Sequence, residues 1–121
     1  VAVNSTGIYI VGWDNSQGAG NAQERIEKRD LTTGALIPAF GPGGADGDGV
    51  ITSNQFTPQS WDTDIAIDST GIYISGISSS GVAWRIEKRD LTTGALIPAF
   101  GPGGAEGDGV ERVSKRAILQ M

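Results

Sequence analysis

Two short acidic loops hold the side chains best suited to bind a metal ion. "GADGDG" at 44–49 and "GAEGDG" at 104–109 each place two carboxylates two residues apart in a glycine-rich backbone. Calcium prefers oxygen ligands on a loop that wraps around it, and Asp-x-Asp-Gly is part of the EF-hand pattern. The candidate calcium ligands are Asp46, Asp48, Glu106 and Asp108. The other ligand positions of an EF-hand loop are missing, so the alternative is a solvated acidic turn.

The tryptophans suggest a second kind of site, because aromatic rings with a polar edge suit ligand-binding surfaces. The candidate residues for binding a glycan are Trp13, Asp14, Trp61 and Trp84. A lectin with one equivalent site per repeat would repeat its aromatic residues. In the repeat described below, however, Trp13 aligns with Ile77. Trp84 aligns with Glu24, so these rings do not mark equivalent sites.

Enzymatic chemistry has few candidate groups in this sequence. The chain contains no His and no Cys, which removes the commonest general base, the commonest zinc ligand and a thiol nucleophile. A hydrolase could still use carboxylates or calcium, with Asp14, Asp62 and Asp64 as the carboxylates to test. We expect a protein that is not an enzyme.

Charge and hydropathy exclude two classes of partner. The net charge of −5 argues against nucleic acid, whose phosphates bind basic surfaces. No apolar run approaches the roughly 20 residues that cross a bilayer as a helix. We therefore expect neither nucleic acid binding nor a membrane span.

The sequence repeats itself, and this repeat organises the chain. "RIEKRDLTTGALIPAFGPGGADGDGV" at 25–50 returns at 85–110 with one change, of an Asp for a Glu. "VAVNSTGIYIVG" at 1–12 returns as "IAIDSTGIYISG" at 65–76. Such self-similarity is typical of propellers, solenoids and arrays. The predicted units are residues 1–61, residues 62–110 and an unrepeated tail at 111–121.

Each unit predicts four strands in an antiparallel meander. In the second unit they span residues 64–68, 72–76, 83–91 and 95–100. The second of these strands is apolar on both faces, which predicts burial between two layers. Proline cannot donate to a ladder, so Pro98 and its equivalent Pro38 place the fourth strand at the sheet edge. The glycine-rich residues that follow are interpreted as the crossing to the next unit, and the tail favours a further strand.

The turns and the charged strand have simple interpretations. Asp68 and Asp90 each precede a glycine, and an Asp at this place accepts a backbone N–H while the glycine supplies a positive φ. Asn4 takes the place of Asp68 in the first unit. The alternating charges of "RIEKRD" predict a solvated row of ion pairs.

Four-stranded meanders repeated around an axis are the blades of a β-propeller. The pattern "IAIDSTGIYISG…WRIEKRDLTTGALIPAFG" resembles the delta-60 type of bacterial β-propeller repeat, over nearly all of both units. This resemblance implies a bacterial protein that is extracellular or on the cell surface. It brings no catalytic motif that maps onto these residues.

The expected fold class is all-β, with two four-stranded antiparallel β-propeller blades. A propeller closes with about four to eight blades, so two blades leave two apolar faces open. Either oligomerisation of this chain or a longer parent chain completes the ring, and we favour a homotrimer. The expected function is a non-enzymatic scaffold or interaction module. The alternatives are a carbohydrate-binding, lectin-like propeller and a carboxylate- or calcium-dependent hydrolase.

Overall fold

The chain forms two four-stranded antiparallel β-sheets. A computed structural model describes residues 1–14, 22–42, 48–56, 63–78, 83–101 and 109–114. Sheet 1 consists of β1 (Ala2–Asn4), β2 (Gly7–Asp14), β3 (Gln23–Arg29) and β4 (Val50–Ser53). Sheet 2 consists of β5 (Asp64–Asp68), β6 (Gly71–Ile77), β7 (Ala83–Arg89) and β8 (Val110–Ser114). Both are meanders in chain order, and the described residues contain no helix, which confirms the all-β class.

The two sheets share one register, so equivalent residues lie on equivalent faces. Tyr9 pairs with Lys28 between β2 and β3, and Tyr73 pairs with Lys88 between β6 and β7. Alternation along the strands then gives each sheet two faces. We call one of them the ladder face, after its row of alternating arginine and glutamate side chains. This row is Arg25, Glu27 and Arg29 in sheet 1, and Arg85, Glu87 and Arg89 in sheet 2. The tyrosine face carries Tyr9 and Lys28 in sheet 1, and Tyr73 and Lys88 in sheet 2.

The fourth strand of each sheet lies later in the sequence than predicted. Residues 95–100 form no strand and touch the ladder only through an isolated bridge between Arg89 and Leu96. The sheet edge is formed instead by β8, as it is by β4 in sheet 1. After the glycine-rich loop the chain returns to the same sheet, where Gly49 N donates to Phe40 O at 2.9 Å and Lys28 N donates to Gly49 O at 3.1 Å. The interpretation of this loop as the crossing between units is therefore wrong. Pro38 and Pro98 lie where the hydrogen-bond ladder of the sheet is interrupted, and not in an edge strand.

The other predicted strands of the second unit are confirmed with shifted ends. The strand predicted over 83–91 ends at Arg89, and the one predicted over 72–76 runs from Gly71 to Ile77. The favoured strand at the start of the tail is also confirmed, because residues 111–114 complete β8.

The turn prediction is correct for both aspartates, but the predicted positive φ is found at Gly94 and not at Gly71. Asp90 Oδ1 accepts the N–H groups of Thr92 and Thr93 at 2.8 Å, and Gly94 has a φ of 78°. Gly71, however, has no positive φ. A Cβ at this position would lie 2.9 Å from the carbonyl oxygen of Arg89, so close approach of the backbone requires this glycine.

The two sheets pack face to face over one apolar core. The tyrosine face of sheet 1 lies against the ladder face of sheet 2, and β5 contacts both β1 and β2. The core cluster consists of Tyr9, Ile26, Phe40, Ile51, Phe56, Ile65, Ile72 and Ile74. Its first five members come from the first unit and the rest from the second, so neither sheet buries its apolar face alone.

Candidate functional site

The interface between the two sheets, which we call the internal seam, includes the turn that follows β7 and holds it by hydrogen bonds. Tyr9 Oη donates to Leu91 O at 2.7 Å, and Lys28 Nζ donates to the same carbonyl at 2.9 Å. Gly41 N donates to Thr93 O at 3.0 Å. Lys28 Nζ also lies 5.0 Å from the centre of the Tyr9 ring, within the range of a cation–π contact. A backbone carbonyl of one sheet is thus recognised by two side chains of the other.

A row of three charges is buried on the opposite side of the seam. Glu87 lies between two guanidinium groups, with its Oε2 2.7 Å from Arg85 Nη2 and its Oε1 2.9 Å from Arg89 Nε. The side chains are 6%, 0% and 10% exposed for Arg85, Glu87 and Arg89. Buried charges are tolerated where ion pairs and further hydrogen bonds satisfy them, and Arg89 Nη1 adds a bond to Gly94 O at 2.9 Å.

The prediction that this charged row is solvated is therefore wrong for sheet 2. Alternation along β7 shows that Arg85, Glu87 and Arg89 share a face. It does not show which face meets the other sheet. The sequence held no signal of this burial, because the unchanged repeat includes exposed turns as well as the charged row.

Glu24 is the seam residue with the most unusual environment. It is fully buried on β3, and neither carboxylate oxygen has a hydrogen-bond partner among the described residues. The pKa of Glu24 is raised to about 8, chiefly by burial and then by the negative charge of Glu87, while the positive charges of Arg89 and Arg85 act to lower it. Glu24 is therefore protonated at neutral pH, which removes the larger cost of burying an unpaired charge.

The same ladder lies open on the outer side of sheet 1. Glu27 Oε2 and Oε1 lie 2.7 Å from Arg25 Nε and 2.7 Å from Arg29 Nε. The side chains of Arg25, Glu27 and Arg29 are 33%, 15% and 35% exposed. Partial burial acts to raise the pKa of Glu27, but hydrogen bonds and charge from the two arginines outweigh it and hold the pKa below its usual value.

The outer side of sheet 2 is an open tyrosine face. Tyr73 and Phe100 meet edge to face at 6.3 Å, as Tyr9 and Phe40 do at 6.1 Å inside the seam. Lys88 Nζ lies 5.0 Å from the Tyr73 ring centre. Tyr73 Oη contacts Asp68 Oδ2 at 3.2 Å, whereas its equivalent Tyr9 reaches a carbonyl of the facing sheet. Each sheet therefore has one covered face and one open face.

The predicted glycan residues are not brought to one surface. Trp13 packs against the core inside the seam, and Asp14 pairs with Arg25 at 3.2 Å. Trp84 is 44% exposed on the open tyrosine face, where it lines a depression with Ser75 and Ile77. Trp13 and Trp84 thus lie on opposite sides of sheet 2, and Trp61 lies outside the described residues. Glycan binding stays a prediction.

The acidic loops lie largely outside the described residues, which exclude Asp46, Glu106 and Asp108. Asp48 is described and exposed, and its Oδ1 accepts the N–H of Val50 at 3.1 Å, which closes the loop locally. The described ranges contain no group of three or more side chains able to hold a metal ion together. Calcium binding stays a prediction.

No protein-family model, curated protein or solved structure matches this chain. Within the described part of the chain, no helix is long and apolar enough to cross a membrane.

Proposed function

We propose that this chain is a non-enzymatic scaffold and interaction module of the β-propeller type, in which each sheet is one blade. One observation carries the proposal: the tyrosine face of one sheet packs on the ladder face of the other, and the same two faces stand open at the two ends. Because the two open faces are equivalent to the two faces that pack inside the chain, further sheets can add at both ends by the same contact.

The arrangement of the sheets supports the propeller in particular. Both are four-stranded meanders, and the first strand of sheet 2 contacts the first two strands of sheet 1. Blades of a propeller approach one another most closely at their first strands, around the axis. A homotrimer would have six blades, within the range of about four to eight that closes such a ring.

The repeated residues also favour a scaffold over an enzyme. The side chains that recur serve the seam and the turns, whereas the candidate reactive carboxylates and tryptophans do not recur as a set. A location outside the cell follows from the resemblance alone.

A tandem fusion of three copies tests this function. We expect a compact monomer that unfolds cooperatively, with β1, β5 and their equivalents lining a central axis in its crystal structure. An elongated particle in small-angle scattering, with copies that unfold independently, would contradict the proposal. This experiment links the copies covalently, so its result does not depend on whether separate chains associate.

A further inference from the structure

We infer that a second copy of this chain covers the open ladder face of sheet 1, using the tyrosine face of its own sheet 2. The contact reproduces the internal seam between two chains. The inference rests on the proposed scaffold function and specifies its partner and the residues that meet.

The ladder faces of the two sheets carry identical residue types on their central strands. The covered ladder face of sheet 2 carries Ile72, Ile74, Gly76, Arg85, Glu87 and Arg89. The open ladder face of sheet 1 carries Ile8, Ile10, Gly12, Arg25, Glu27 and Arg29. These six positions on the two central strands hold the same residue types, so the centre of the surface on which sheet 1 already packs exists a second time without cover.

The turn after β3 is equivalent to the turn that is bound inside the seam, but it is exposed. Leu91 packs against the core and its carbonyl accepts two bonds across the seam, whereas the equivalent Leu31 is 47% exposed. A Cβ added at Gly94 would lie 2.9 Å from the Phe40 ring, while one added at Gly34 meets nothing within 4 Å. In the contact between copies, Tyr73 and Lys88 of the second copy donate to the carbonyl of Leu31.

Charge distinguishes the contact between copies from the internal seam. On the open ladder Arg25 pairs with both Asp14 and Glu27, whereas Arg29 shares Glu27 with Arg25. Inside the seam, Gly94 packs against Ile51, and Arg89 bonds to the Gly94 carbonyl. Ile51 and Arg89 therefore lie close together and line one depression.

In sheet 2 the position of Ile51 is taken by Glu111, which pairs with Ile86 on the tyrosine face as Ile51 pairs with Ile26. When the seam forms between two copies, Glu111 of the second copy comes next to Arg29. This carboxylate gives Arg29 a second acidic partner beside Glu27, a contact that the internal seam does not have. Complementary charge of this kind determines the partner and the register of an interface.

The experiment uses two charge-reversal variants, Arg29→Glu and Glu111→Lys, with native mass spectrometry and sedimentation velocity. The wild-type chain is expected to form discrete oligomers. Each variant alone places like charges opposite each other at every seam, and we expect its association to weaken at least about tenfold.

The double variant with Arg29→Glu and Glu111→Lys in one chain is the decisive sample. In it, the introduced lysine of one copy meets the introduced glutamate of the next copy at every seam, for any number of copies in the ring. We expect association to return to about the wild-type strength. Recovery in the double variant also shows that both substitutions are compatible with folding.

A gentler pair of variants controls for folding. Tyr73→Phe removes a hydroxyl that acts between copies, and we expect association to weaken about threefold to tenfold. In the Glu111→Lys background, where copies are separate, its melting temperature should change little, because the bond from Tyr73 to Asp68 is exposed. Tyr9→Phe removes its equivalent inside the chain, and we expect a lower melting temperature.

A monomeric wild-type chain, single variants that assemble like the wild type, or a folded double variant that stays dissociated would each overturn the inference. The tandem fusion distinguishes these results from failure of the propeller itself, because it can form a ring even when separate chains do not associate.

Discussion

The two copies of the Arg-Glu-Arg ladder are the same residues in the same sheet position with different neighbours. In both copies the two arginines hold one glutamate at 2.7 to 2.9 Å. Sheet 2 buries its ladder under the tyrosine face of sheet 1, while sheet 1 leaves its ladder half-exposed. The ion pairs of the open ladder are already formed, so little side-chain freedom is lost when a partner covers it, which favours binding. The comparison shows a binding surface that is ordered before it is occupied.

The tyrosine faces differ more than the ladder faces. Glu24 is fully buried in the seam of sheet 1, and the equivalent position in sheet 2 holds the exposed Trp84. Glu111 replaces the buried Ile51. The internal seam therefore contains a protonated carboxyl group, and the open face offers an indole ring and a carboxylate. Two equivalent faces have diverged at the positions that would distinguish a contact within a chain from one between chains.

The largest expected effect is a pH dependence of the free energy of unfolding, which comes from Glu24 and not from its equivalent Trp84. The pKa of Glu24 in the folded state is about 8, above the ordinary 4.5, so the folded state binds more protons between these values. The free energy of unfolding therefore falls as pH rises from about 4.5 to 8 and levels off above 8. A pKa difference of one between the folded and unfolded states corresponds to about 1.4 kcal/mol, so the total loss reaches several kcal/mol.

Urea denaturation from pH 5 to 9, on the wild type and on Glu24→Gln, measures this slope. The chain has no His, so no imidazole titrates in this window. We expect the slope to disappear in Glu24→Gln and to persist in Trp84→Phe. An equal slope in all three proteins would mean that Glu24 is ionised in the folded state.

The next effect compares Glu87 with Glu27. Glu87→Ala leaves two buried arginines without their shared carboxylate, and we expect a loss of about 3–5 kcal/mol in the free energy of unfolding. Glu27→Ala removes the same group from a half-exposed ladder, and we expect about 1 kcal/mol or less.

Both ladder variants are made in the Glu111→Lys background, where copies are expected to be separate, and measured by chemical denaturation. Equal losses would show that the two ladders have the same environment, contrary to the packing described above.

The smallest effect compares the isoleucines beside the ladders. Ile74 is fully buried, and Ile74→Ala is expected to lower the free energy of unfolding by about 2–5 kcal/mol through the lost contacts and the cavity. Ile10 is half-buried, so Ile10→Ala should cost about 1 kcal/mol in the same background. Thermal unfolding of the two variants measures the difference. In the wild-type background, the effect of Ile10→Ala should grow with protein concentration, because association covers Ile10.

Local chemistry made part of the fold predictable. The alternation of β5 and β7, the Asp90 turn with its left-handed Gly94 and the antiparallel meander all follow from short-range patterns, and all are confirmed. The fourth strand was misplaced because the proline-containing segment 95–100 looks like an edge strand by composition. Nothing local shows that the glycine-rich loop after it returns to the same sheet.

The sequence by itself determined that there are two equivalent units, which residues of β7 share a face, and where the chain turns. These properties depend on contacts between residues close in the chain. Only the tertiary structure decided that Arg85, Glu87 and Arg89 are buried while Arg25, Glu27 and Arg29 are half-exposed. The same hexapeptide "RIEKRD" carries both rows, so its burial depends on which face the other sheet covers. That choice is made by the packing of Tyr9, Phe40 and Ile51 over Ile72 and Ile74, at a sequence distance that no local pattern can report.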